Sequence, residues 1–72
     1  MNNSNVAKIQ LNGDPYEING RTNLNELLNK LKIEKNKVAI EVNGEIVQKG
    51  KYQNLILRKD DKVEIVHFIG GG

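Results

Sequence analysis

The residues able to do chemistry in this 72-residue chain are few. There is no cysteine and only one histidine, His67, which excludes disulfides, thiolate nucleophiles and a cysteine–histidine metal site. The only serine, Ser4, sits in the polar start, so His67 has no nucleophile to activate and reads as a surface or half-buried structural residue. Asp60 and Asp61 are too few oxygen ligands for a hard cation and read as solvated turn charges. Neither glycine-rich nucleotide motif is present. What remains is the terminus, Phe68-Ile69-Gly70-Gly71-Gly72. Three glycines are costly to order and have no side chains to pack, so a functional reason for them is that something must reach the last carboxylate. Five extended residues reach roughly 17 Å, and glycine lets them thread a narrow channel. The chemistry is then activation of the Gly72 carbonyl by machinery on another protein, with fraying or appended residues as the alternative without function.

The elements must hold that arm on a folded handle. Val6 to Leu11 alternates as a strand, Asn12-Gly13-Asp14-Pro15 is turn chemistry, and Tyr16 to Ile18 returns, a β-hairpin closed by Asn19-Gly20. Leu24, Leu27, Leu28 and Leu31 fall at i, i+3, i+4 and i+7, one face of a helix. Asn23 and Glu26 have the spacing of a capping box, with Thr22 as the other candidate cap. Val38 to Val42, the turn Asn43-Gly44 and Glu45 to Val47 form a second hairpin. Residues 50–54 read as irregular, residues 55–57 as a brief edge strand or helical turn, and Arg58 to Lys62 as a charged turn. Val63 to Ile69 is the last strand. The expected core is Val6, Ile9, Leu11, Ile18, Leu24, Leu27, Leu28, Leu31, Val38, Ile40, Val42, Leu55, Leu57, Val63 and Ile65. One helix covering four or five strands makes an α+β layer with one sheet face on the helix. By period two, Val63 and Ile65 share a face, with His67 and Ile69 following, and Val66 and Phe68 point to the side with no helix. Two large apolar groups there, with Ile69 leading into the tail, mark Val66, Phe68 and Ile69 as a candidate docking surface for a partner.

Composition bounds the rest. Hydrophobic residues are 38% and charged residues 28%, the make-up of a single globular domain. The net charge of +2 and three aromatic residues argue against nucleic-acid binding. The basic excess is Lys30, Lys32, Lys35 and Lys37, where cations offset the partial negative charge of the helix end; a docking patch for an acidic partner is the other reading. No apolar run has the length of a membrane span and the start lacks the order of a secretory signal, so a cytoplasmic protein is expected.

These features together resemble a known family. The helix opening Asn23 to Leu28, the hairpin Ala39 to Val47 with its Val-Asn-Gly-Glu-Ile-Val run, and the ending Val66 to Gly72 resemble the ThiS family of thiamine-biosynthesis sulfur carriers, over about residues 6–72. The terminal Gly-Gly alone is shared with ubiquitin and with the small subunit of molybdopterin synthase, so the hairpin and the short length carry the specificity. The resemblance implies a ubiquitin-like β-grasp fold, a mixed four- to five-stranded sheet with one helix on one face. It implies a single domain over residues 1–72, frayed over residues 1–5, with residues 70–72 as a flexible reactive tail. It implies that an E1-like adenylyltransferase, ThiF, adenylates the Gly72 carboxylate with ATP and magnesium, and that a sulfur donor protein converts it to a thiocarboxylate. Thiazole synthase, ThiG, then takes the sulfur. Gly70 and Gly71 carry the arm, no cofactor or metal is bound by the chain itself, and no membrane or nucleic acid is engaged. The chain is then a co-substrate and no enzyme. A carrier for molybdopterin or another pathway, or a β-grasp binding module with an incidental tail, are the alternatives. The family often has a glycine in the turn that here is Asp60-Asp61-Lys62.

Overall fold

A computed structural model describes residues 5–69. Strand β1 (Val6–Leu11) turns through Asn12-Gly13 into β2 (Asp14–Asn19), with Leu11 paired to Asp14 and Val6 to Asn19. Asn12 at φ 50° and Gly13 at φ 88° give the two left-handed residues of a tight hairpin turn whose twist matches the strands. Asp14 and Pro15, expected in the turn, therefore belong to β2. Proline is tolerated there because β2 is an edge strand and needs no outward donor.

Helix α1 (Leu24–Leu31) starts at the expected box: the Asn23 side chain accepts from the Glu26 N–H at 2.8 Å, and the Glu26 carboxylate accepts from the Asn23 N–H at 3.0 Å. Thr22 does not cap it; its hydroxyl donates to the Asn19 carbonyl at 2.8 Å. The helix ends where Lys32 takes a left-handed conformation, φ 60°, and the Ile33 N–H reaches back to the Leu28 carbonyl at 2.9 Å. A short 3₁₀ turn, residues 35–37, leads into β3 (Val38–Val42). Asn43-Gly44 forms the second left-handed turn, at φ 54° and 87°, into β4 (Glu45–Ile46). Residues 50–54, expected to be irregular, belong to a 3₁₀ helix over residues 49–54, and residues 55–57 make only an isolated bridge from Ile56 to Asn23. β5 (Lys62–His67) ends the fold.

The sheet order is β2-β1-β5-β3-β4, so the last strand in sequence is the middle strand in space. It runs parallel to β1 and antiparallel to β3. This is the mixed five-stranded sheet with one helix that the sequence implied. Leu24, Leu27 and Leu28 bury against Ile9, Ile18, Val38, Ile40, Leu57, Val63 and Ile65. Each such side chain contributes about 1.5–3 kcal/mol when fully buried. Two expectations about the core change. Val6 is 44% exposed, because strand alternation puts it on the face opposite Ile9, and Ala7 takes the inward position. Tyr52, not expected inside, is only 1% exposed and pins the 3₁₀ helix to the core. Leu11, Leu31, Val42 and Leu55 pack on the core from its rim and are partly exposed.

Candidate functional site

The tail Gly70, Gly71 and Gly72 lies outside the described residues, as do residues 1–4; of the segment expected to fray, Asn5 is described, and its carbonyl accepts the Gly20 N–H. The site is therefore built from the place where the chain leaves the sheet. β5 stops at His67, two residues earlier than alternation suggests, because its antiparallel neighbour β3 begins at Val38, the partner of His67. One more bond extends past it, from the Phe68 N–H to the Lys37 carbonyl at 2.9 Å. Beyond that bond Ile69 is 98% exposed.

The pairs of β3 and β5 sort the side chains of this end. Ile40–Ile65 and Val42–Val63 face the helix. Ala39–Val66 and Glu41–Glu64 face away from it. Val66 and Phe68 are each more than half exposed, and Val66 shares this helix-free side with Ile46 of β4 and Val6 of β1. The Lys49 ammonium, at the start of the 3₁₀ helix, lies over the Phe68 ring at 5.6 Å from its centre. Val66, Phe68 and Ile69 are thus brought together in one exposed stretch at the root of the tail. Lys49 is the member of this group that the sequence does not single out. Its only signal is its position three residues before Tyr52.

The remaining candidates resolve into structural roles. Asp61 is a turn clamp: one carboxylate oxygen accepts from the Arg58 N–H at 2.8 Å and the other from the Asn43 side-chain amide at 3.0 Å. His67 is exposed on the central strand. Among the described residues no three histidine or acidic side chains gather as a metal site. The lysines after the helix do not act together. Lys30 stacks on Tyr16 at 5.6 Å, Lys32 makes the left-handed cap, and Lys37 pairs with Glu34 at 3.7 Å. A shallow depression of about 760 Å³ is lined in part by Val42, Glu45, Ile46, Val47, Lys51 and Leu55. Burial raises the Tyr52 phenol above its usual value of 10.0, which keeps it neutral and structural. No described helix is long and apolar enough to cross a membrane.

This geometry is a folded body with exposed apolar residues where β5 ends, and its described part holds no catalytic constellation. Comparison with known proteins agrees with it. The sequence model of the ThiS family matches residues 9–72. A thiazole synthase of Magnetococcus marinus is 46% identical over 65 residues, covering 90% of this chain and 20% of that protein. The sulfur carrier protein ThiS of Bacillus subtilis is 38% identical over 65 residues, covering 89% of this chain and 98% of that one. The crystal structure of the thiamine biosynthesis protein ThiS from Geobacter metallireducens superposes with a TM-score of 0.77 at 32% identity, covering 90% of this chain and 99% of that one. The chain spans about a fifth of the length of the thiazole synthase and nearly all of the other two.

Proposed function

The chain belongs to the ThiS family, and on that premise we propose that it carries sulfur for thiamine biosynthesis on its own C-terminus, as a co-substrate and not as an enzyme. The Gly72 carboxylate attacks the α-phosphorus of ATP on an E1-like adenylyltransferase of the ThiF type, with magnesium held by that partner. Pyrophosphate leaves and an acyl-adenylate forms. Sulfide (HS−) delivered by a donor protein then attacks the acyl carbon, the bond to AMP breaks, and AMP and a proton leave a thiocarboxylate on Gly72. Activation is required because a carboxylate has no good leaving group, whereas AMP departs readily. The charge that develops on the acyl oxygen is stabilised by donors on the partner that receives the tail. Gly70 and Gly71 carry the reacting group into the partner's site. Val66, Phe68 and Ile69 dock the body beside it. No membrane or nucleic acid takes part, and the exchange takes place in the cytoplasm.

The observation that carries this reading is that the family match runs through Gly72 itself. A domain 46% identical to this chain inside a protein named thiazole synthase supports that enzyme type as the sulfur acceptor. Intact-mass measurement after incubation with the adenylyltransferase, ATP and a sulfur source tests it. The mass should rise by the exchange of one oxygen for one sulfur, and deletion of Gly72 should abolish the rise. An unchanged mass with a partner known to be competent on another carrier rejects the reading.

A further inference from the structure

Among the described residues, Phe68 is the last whose main chain is bonded to the body, and its ring is more than half exposed. An exposed ring so near the terminus would ordinarily sample several rotamers, and docking would have to fix one of them. The structure gives this ring a partner. Tyr52 pins the otherwise exposed 3₁₀ helix of residues 49–54 to the core, the helix packs against α1, and its first residue, Lys49, lies over the Phe68 ring. Among the described residues the one ion pair joins Lys37 to Glu34, so the Lys49 ammonium has the ring, and no described carboxylate, as its electrostatic partner.

We infer that Lys49 is a positioning residue: it holds the Phe68 ring in place and so preorganises the docking face from which the chain departs. The inference rests on the carrier reading, because it assigns the face to the activating partner. The ring is held from two directions, by the bond from its own N–H to the Lys37 carbonyl and by the ammonium above it. An exposed cation–π contact biases a population by about two- to fivefold, so that is the change in affinity to be read when it is removed.

The free protein gives the first measurement. Phe68 is the only phenylalanine, so its ring resonances are unique. Ring current should displace the Lys49 side-chain protons, and Phe68→Leu should return them to ordinary lysine positions. The second measurement is steady-state activation by the adenylyltransferase. Lys49→Met should raise KM about two- to fivefold with kcat unchanged. Lys49→Arg should restore it, because a guanidinium also stacks on a ring. Lys51→Met, which removes a lysine from the same 3₁₀ helix, should leave KM as in the wild type. Equal losses in the Lys49 and Lys51 variants, both vanishing at high salt, would assign the effect to overall charge and overturn the inference. So would a Lys49→Met KM equal to the wild type. In that case the carrier reading stands, whereas a wild-type chain that is never activated defeats the carrier reading whatever Lys49 does.

Discussion

Truncating Phe68 to alanine separates the docking face from the fold. Full burial of a phenylalanine side chain stabilises by about 1.5–3 kcal/mol. With Phe68 56% exposed in the free protein, docking can gain about 0.8–1.7 kcal/mol from the remaining surface, which is about a 4- to 17-fold change in Kd. The part already hidden, together with the Lys49 contact, sets the cost to the fold at about 1–2 kcal/mol, or about 4–16 °C in Tm for a domain of this size. No core residue loses its neighbours, because the buried cluster does not include Phe68. Calorimetric titration of the variant into the adenylyltransferase gives the affinity, and thermal unfolding gives the stability. Phe68→Leu is the companion: it keeps much of the apolar area, loses the ring, and should recover most of the affinity. An alanine variant that stays folded and binds within about twofold of the wild type would refute the claim that this side chain supplies docking energy.

Two further outcomes test the fold that holds the face. Asp60 has φ 69°, a left-handed conformation that costs an L-residue about 1–2 kcal/mol, and its N–H, which glycine keeps, donates to the Lys8 carbonyl. Asp60→Gly should therefore raise the urea midpoint while Asp60→Ala lowers it, and the same sign for both would contradict the argument. Tyr52 has its phenol pKa raised by burial, so the neutral form is the one the folded state favours. Its contribution is fully present below the unfolded value of 10.0 and is lost as pH rises through the higher folded value, so alkaline unfolding should occur at lower pH in the wild type than in Tyr52→Phe.

Patterns with a strong local cause are legible in the sequence. The four-leucine helix face, its Asn23–Glu26 box and the Asn43-Gly44 turn each arise from neighbours within a few residues, and the structure has them all. The features that sequence reasoning misses depend on distant partners or on parity. Val6 is hydrophobic enough to suggest the core, although Ile9 three residues on already fixes the opposite parity. Tyr52 gives no such signal, because a single aromatic in a six-residue stretch has no periodicity to reveal it, and its burial depends on how that stretch lies against α1. β5 is shorter than its own alternation suggests because its end is set by where β3 starts, in the register pair Val38–His67. The exposure of Val66 and Phe68 is readable from alternation; that of Ile69 is not, because alternation puts it on the face of Ile65, whereas β5 ends at His67 and leaves Ile69 in the open. Lys49, which reaches the Phe68 ring from another element, is not readable either.

The position of β5 connects this architecture to the chemistry at its end. The two hairpin turns that need left-handed asparagines also use those side chains to grip the central strand. The Asn12 amide accepts from the Ile65 N–H at 2.7 Å and donates to its carbonyl at 3.3 Å, and the Asn43 side chain accepts from the Lys62 N–H at 2.9 Å. β5 is therefore held by β1 and Asn12 on one flank and by β3 and Asn43 on the other, all through contacts distant in sequence. A cut anywhere within β5 would remove ladder bonds and core side chains together, and the sheet could not form around the gap. A cut after Phe68 removes no hydrogen bond made among the described residues. On the proposed function, folding and chemistry meet at one residue: the chain up to Phe68 builds the handle, and the glycines are the part the reaction would use. A Gly72 deletion that unfolds at the wild-type temperature yet takes up no sulfur would assign the loss to the reacting group, and a lowered unfolding temperature would assign it to the fold.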